Sequence, residues 1–259
     1  LQTRRDRKYI VPFRALAEVL DDLPAELRAL EIDGRRWFGY ESVYFDTPRR
    51  DSYRQAATRR PRRFKVRTRS YLDSGDTMLE VKTKDRRGRT VKHRRPLTAG
   101  SAEEVAASAR RYASRFDASA PYAAQLAVSL TSRYQRLTLV LPSARARATV
   151  DAGYRCIDAD GSIAGLADEL IVETKSDGAP SEFDRCLWRA GHRPVKISKF
   201  ATGLAALHPE LPSNRWRPVL RAHFGSLPGP DRDHSRVGIR GRDALSPTVR
   251  LRTRVALDS

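Results

Sequence analysis

Alternation of apolar and polar residues at period two dominates this sequence and marks strand candidates at 6–11, 37–46, 63–71, 77–84, 89–95, 133–141, 145–151 and 168–175. Helical spacing is rarer. Phe13, Leu16, Leu20, Leu23 and Leu27 recur on one helical face just after Pro12, a residue favoured near a helix start. Further helices are predicted over 101–115, 121–131, 180–190 and 198–207, and no internal repeat is present. From about residue 209 the pattern fades into Pro-, Gly- and Arg-rich sequence, with Pro209, Pro212, Pro218, Pro228, Pro230 and Pro247 interrupting any long element. The expected organisation is one folded unit over 1–208 and a largely disordered tail over 209–259.

The charges follow the same period as the strands. Residues 59–95 carry fifteen Lys and Arg against four acids. On the first strand of this segment Lys65, Arg67 and Arg69 share a face opposite Phe64 and Val66. On the next, Glu80, Lys82 and Lys84 stand opposite Leu79 and Val81; after the turn at Arg87-Gly88-Arg89, Lys92 and Arg94 share a third face. The phasing recurs in Tyr134, Arg136 and Thr138, in Arg145, Arg147, Thr149 and Asp151, and in Glu169, Ile171, Glu173 and Lys175. For one strand, a solvated outer face is the simpler reading, because antiparallel sheets commonly keep one wet side. Repeated over so many strands, the pattern favours an α+β fold: an antiparallel β-barrel tunnel with a polar, basic interior and helices packed outside.

Composition supports an anionic partner. The 259 residues include 50 Lys and Arg against 31 Asp and Glu, a formal charge of +19 whose self-repulsion a polyanion would relieve. Residues that are 40% hydrophobic suffice for a sizeable core. No apolar run is long enough to span a bilayer and the first residues lack a signal-peptide core, so the expectation is a soluble, cytoplasmic protein with no transmembrane segment. Cys156 and Cys186 lack the spacing of a zinc site or a disulfide scaffold.

Among individual motifs, Arg67-Thr68-Arg69 suits phosphate because a guanidinium offers a fork of donors. Lys82 adds a compact charge nearby. Arg59-Arg60-Pro61-Arg62-Arg63 reads equally as a surface run or as a nucleic-acid or localisation patch. Glu173, on an apolar strand, fits either a divalent-metal ligand or an ion pair with Lys175. In Pro194-Val195-Lys196-Ile197-Ser198-Lys199-Phe200, Ser198 is a candidate helix N-cap flanked by two lysines, where phosphate is favoured. Tyr44, Tyr71 and Trp188 read first as core or barrel-wall aromatics, Tyr44 also as a substrate-binding candidate. The sequence lacks a P-loop, a Gly-x-Ser-x-Gly elbow and a His pair at metal spacing.

The order of these pieces resembles a known family. Asp6-Arg7-Lys8-Tyr9, Val43-Tyr44-Phe45-Asp46-Thr47-Pro48, Arg62-Arg63-Phe64-Lys65-Val66-Arg67-Thr68-Arg69 and Leu79-Glu80-Val81-Lys82-Thr83-Lys84 open it. Tyr134-Gln135-Arg136, Arg147-Ala148-Thr149-Val150-Asp151, Val172-Glu173-Thr174-Lys175-Ser176-Asp177-Gly178 and Lys196-Ile197-Ser198-Lys199-Phe200 follow in sequence. Together they resemble the VTC catalytic domain, the polyphosphate polymerase domain of the vacuolar transporter chaperone complex, which has free-standing bacterial relatives.

The resemblance implies a triphosphate tunnel fold and a polymerase that uses a nucleoside triphosphate, with ATP the expected donor. It implies Lys8, Arg67, Arg69, Lys82, Arg136, Arg147 and Lys199 as catalytic phosphate ligands, Lys92, Lys196 and Ser198 as substrate contacts, and Glu173 as ligand to Mn²⁺ or Mg²⁺. Relatives carry Glu where this chain has Asp6. Implied partners are a nucleoside triphosphate and inorganic polyphosphate, with no specific nucleic acid. A triphosphate hydrolase or cyclase of the same superfamily is the alternative, and a non-catalytic polyphosphate- or nucleic-acid-binding module a third reading.

Overall fold

The computed structural model describes residues 4–84, 89–142, 145–226 and 254–255. The long strands fall where the alternation placed them: β1 (Arg4–Pro12), β3 (Trp37–Asp46), β4 (Arg63–Tyr71), β5 (Thr77–Lys84) and β6 (Thr90–Pro96). Between β1 and β3 come α1 (Ala15–Asp21) and β2 (Arg28–Leu30), and between β3 and β4 lies α2 (Asp51–Ala57). Then follow α3 (Ala102–Ala113), β7 (Ala127–Leu141), β8 (Ala146–Ile157), β9 (Ile163–Gly165), β10 (Glu169–Asp177), α4 (Glu182–Arg189), α5 (Lys199–Leu207) and α6 (Arg217–His223). Two-residue strands β11 (Gly225–Ser226) and β12 (Arg254–Val255) pair with β9 and β2. Among the described residues no helix is long and apolar enough to cross a membrane.

The principal strands lie in the order β1-β10-β8-β7-β3-β4-β5-β6, each antiparallel to its neighbours. The sheet curls, since side chains of β1 and β5 line one cavity. It is not a closed barrel: among the described residues no ladder joins β6 to β1. The tunnel is therefore an open, curled sheet whose seam is bridged by side chains and by residues 194–198. The turn 85–88 lies outside the described residues.

Two apolar clusters cover the convex side. Leu16, Val19 and Leu20 of α1 and Phe183, Cys186 and Leu187 of α4 pack on Tyr9, Leu139, Val150 and Val172. Ala109, Tyr112 and Ala113 of α3 cover Phe64, Val66, Leu79 and Val81. Capping boxes start two of these helices, Ser101 with Glu104 and Ser181 with Asp184.

Helix α5 instead enters the concave side. A bulge where β7 pairs β8 lies beside Gly153, whose φ of +61° suits glycine, and beyond it Tyr154 and Cys156 join the cluster containing Tyr44 and Tyr134. A Cβ on Gly203 of α5 would stand 2.8 Å from the Tyr154 hydroxyl, so glycine lets the helix lie against the sheet. Phe200, Leu204 and Ala205 fill that end.

Three sequence expectations are corrected. The segment 121–131 is not a helix: a short 3-10 turn at Ala120–Gln125 gives way to β7, because pairing Val128 with Phe45 and Leu130 with Tyr44 outweighs the local helix propensity of its alanines. Helix α1 stops at Asp21, short of Leu27, with Pro24 just beyond. The ordered chain also continues past 208. Leu211, Trp216 and Val219 are buried with α5, and Trp216 meets the Tyr53 ring at 5.7 Å. The rest of the predicted tail, 227–253 and 256–259, lies outside the described residues. Trp216→Ala is expected to cost about 3 kcal/mol of stability; an unchanged melting temperature would show that this segment adds nothing to the core.

Candidate functional site

Strand β4 supplies the densest row of charge. Phe64, Val66 and Thr68 are buried beneath α3 and its neighbours, so Lys65, Arg67 and Arg69 must face the concave side. Register then sets their neighbours: Arg67 lies between Tyr44 and Glu80, and Lys65, Lys82 and Lys92 stand side by side.

Three carboxylates, Glu80 and Asp151 buried and Glu173 half-buried, organise the cations. Glu80, 2% exposed, accepts from Arg67 Nη2 at 2.6 Å and Nε at 2.7 Å, and pairs with Lys92 through its other oxygen. Burial would raise its pKa, but Arg67 and Lys92 bring it down to about 2. Asp151, fully buried, receives Arg136 Nε at 2.6 Å and Nη2 at 2.8 Å and is also bonded by Lys199 at the start of α5. Burial opposes its ionised form, yet Lys199 and Arg136 hold it below the usual carboxylate range. Glu173 pairs with Lys175 and lies 3.7 Å from Lys8 Nζ. It too is held well below the ordinary range, against burial, by Lys8 and Lys175.

The remaining cations rest on hydroxyls, rings and carbonyls. Lys65 Nζ donates to Ser198 Oγ at 3.2 Å, and that hydroxyl also caps α5 by accepting from Ala201 N at 3.3 Å. Lys8 Nζ donates to the Ile197 carbonyl at 3.4 Å. Arg69 donates to the Tyr134 hydroxyl at 3.0 Å, and Arg69 and Arg136 lie over the Tyr40 ring at 5.4 and 5.1 Å. Burial most of all, then the charges of Lys8, Arg67 and Lys82, push Lys65 well below the ordinary lysine value. Burial lowers Lys199 as well; Asp151 opposes that shift, while Arg136 and Lys8 add to it. An anion entering this space would reverse both shifts.

The structure thus gathers Lys8, Tyr44, Arg67, Arg69, Lys82, Lys92, Arg136, Glu173, Ser198 and Lys199 on or beside the concave face. Lys8, Lys65, Lys82, Lys196 and Ser198 line a cavity of about 420 Å³. Lys196 is exposed at its rim, and Arg147 is exposed at the start of β8, opposite Lys175 in register. Sequence reasoning did not single out Lys65, Glu80, Asp151 or Tyr134 as site residues. Their inward parity was the available signal; which inward carboxylate would meet which guanidinium depends on strand order.

The VTC domain family model matches residues 3–208. The chain belongs to the VTC domain family. No curated protein matches it. Among solved structures, it is similar to a Hippeastrum protein described as a candidate adenylyl cyclase with a dominant triphosphatase activity: TM-score 0.50, 15% identity, covering 76% of this chain and 93% of that one. A candidate adenylate cyclase from Bacillus halodurans gives TM-score 0.47 and 17% identity, covering 74% of this chain and 92% of that one. At its 15% identity the likeness to the Hippeastrum protein is one of fold, the triphosphate tunnel fold.

Within this VTC domain the question of a metal turns on Glu173. Among the described residues no group of three or more His, Cys, Asp or Glu side chains could hold a metal ion. One ionised carboxylate on the concave face, paired in register with Lys8, nevertheless suits a hard divalent cation whose shell is completed by phosphate oxygens and water. Such a cation would have to compete with Lys8 and Lys175 for the carboxylate.

Proposed function

We propose that this VTC domain is a metal-dependent polyphosphate polymerase that moves the terminal phosphate of a nucleoside triphosphate, ATP by family analogy, onto a growing polyphosphate chain. The observation that carries the reading is the charge balance of the concave face. Lys8, Lys65, Arg67, Arg69, Lys82, Lys92, Arg136 and Lys199 converge there around the carboxylates Glu80, Asp151 and Glu173, and burial with repulsion from neighbouring cations already lowers the pKa of Lys65, Lys82, Lys92 and Lys199. That surface is matched to a linear polyanion and poorly matched to a neutral or cationic ligand.

The chemistry follows from positioning. An oxygen of the acceptor phosphate attacks the terminal phosphorus, the bond to the bridging oxygen breaks, and the nucleoside diphosphate leaves with that oxygen. Arg67 and Arg136, fixed by buried carboxylates, offer rigid donors to equatorial oxygens, and Lys199 and Lys8 neutralise charge as the bond opens. No protein nucleophile is required. A divalent ion held by Glu173 would supply further charge neutralisation on the phosphate oxygens.

Incubating the purified chain with ATP and Mn²⁺, with long-chain polyphosphate and free phosphate assayed separately, tests this directly. Polymer supports the reading; free phosphate without polymer would replace it with a triphosphate hydrolase, and binding of tripolyphosphate without turnover with a non-catalytic module. In the same assay Glu173→Gln should weaken activity strongly and be partly rescued by more Mn²⁺. An unaltered Mn²⁺ titration together with a large fall in melting temperature would leave Glu173 as the ion-pair partner of Lys8 and Lys175 and nothing more.

A further inference from the structure

The family match ends at residue 208, but the folded chain continues and returns to the open end of the basic face. Burial of Trp216 against Tyr53 fixes the residue before it, and Arg215 lines the same cavity as Lys8, Lys65 and Lys82. Arg63 lines it from another side. Arg63 is two residues before Lys65 on β4, so the row Arg69, Arg67, Lys65 continues outward at period two into the mouth. Around the corner, Arg60 and Arg62 line an adjoining depression with Gln55, Pro61 and Tyr122.

The mouth differs from the interior in how its guanidiniums are held. Arg67 and Arg136 are clamped by buried carboxylates. Arg63 donates to the Arg60 carbonyl at 2.7 Å and Arg215 to the Ala56 carbonyl at 3.3 Å, partners that carry no charge. Arg215 Nε is buried without a hydrogen-bond partner. Burial first, and then the charges of Arg59 and Arg63, lower the pKa of Arg215. Such cations repel one another until an anion lies between them.

We infer that Arg63 and Arg215, with Lys196 at the rim, form a second anion subsite at the mouth that engages linear polyphosphate extending beyond a triphosphate held deeper on the concave face, at Arg67, Arg136 and Lys199. It rests on the reading that these inner groups hold triphosphate. It also makes the segment after the family match a working part of the site, one that senses chain length. Polyphosphate fits better than a nucleic acid because the subsite runs straight into the lysine-lined cavity, and its one tryptophan, Trp216, is buried rather than presented for base stacking.

The test is calorimetric titration of tripolyphosphate and of size-fractionated longer polyphosphate into the wild type, the Arg63→Gln/Arg215→Gln double variant and Arg215→Lys, with melting curves alongside. The double variant should bind tripolyphosphate within about twofold of wild type and the longer chain about tenfold more weakly, with a shallower salt dependence. Arg215→Lys should keep most of the long-chain affinity. Arg63→Gln alone should show a smaller loss in the same direction, which keeps the test open if the double variant does not fold. Equal weakening for both ligands, no weakening for either, or equal competition by a single-stranded oligonucleotide overturns the subsite. Wild-type protein that fails to bind tripolyphosphate would instead remove the reading on which the subsite rests. Polymer synthesis is not measured, so its absence would leave the subsite standing.

Discussion

Arg67→Ala is expected to lower polymer synthesis by about a hundredfold or more, the scale seen when one preorganised donor to transition-state charge is lost. Arg67 sits mid-row on β4, hydrogen-bonded to Glu80 at 2.6 Å and within 3.5 Å of the Tyr44 hydroxyl. Its guanidinium is thus oriented before substrate arrives. Removing it also frees one oxygen of Glu80, which keeps Lys92 as a partner, so a moderate fall in melting temperature accompanies the loss. Arg67→Lys separates the two effects. It retains a cation for Glu80 and most of the stability, but gives up the planar fork and should still lose about tenfold in rate. Folded variants with near-wild-type synthesis would sink the assignment of Arg67 to the reacting phosphate.

Much of this arrangement was legible in the sequence because strand parity is a local property. Lys65, Arg67 and Arg69 had to share a face once Phe64 and Val66 were assigned to the core, and β3, β4 and β5 lie within the predicted limits. Non-local geometry was not legible. The alanines before β7 carry helix propensity, and only the cross-strand partners Tyr44 and Phe45 decide otherwise. Nothing local announces that α5 lies on the concave side, since that depends on the bulge at Gly153 and the missing Cβ of Gly203. The prolines after 208 are compatible with disorder until Trp216 finds Tyr53, a partner more than a hundred and fifty residues earlier in the chain. Likewise Glu80 and Asp151 share the parity of the cations, but their roles as clamps emerge only when Lys92, Arg136 and Lys199 arrive from other elements.

Asp151 carries a large expected effect on both stability and charge balance. It is fully buried and is bonded by Arg136 from β7 and Lys199 from α5, so it ties the helix on the concave side to the sheet. Asp151→Asn preserves shape and removes charge, leaving both cations facing Lys8 and Arg69 without compensation. The expected cost is about 3 kcal/mol, the lower end for breaking a buried pair. Three measurements identify the cause. Tripolyphosphate should stabilise the variant more than the wild type, because the anion restores the missing charge. Wild-type stability should also fall in acid more steeply than that of the variant. The folded-state pKa of Asp151 is lowered, so its contribution is present above the unfolded value of about 3.9 and is lost as pH falls through the folded one; asparagine has no proton to take up there. Finally, Asp151→Ala should not be rescued by tripolyphosphate to the same extent, because it adds a cavity to the lost charge. If Asp151→Asn melts like wild type with and without tripolyphosphate, the excess positive charge of the interior is tolerated by the empty fold, and Asp151 orients Arg136 and Lys199 without holding them together.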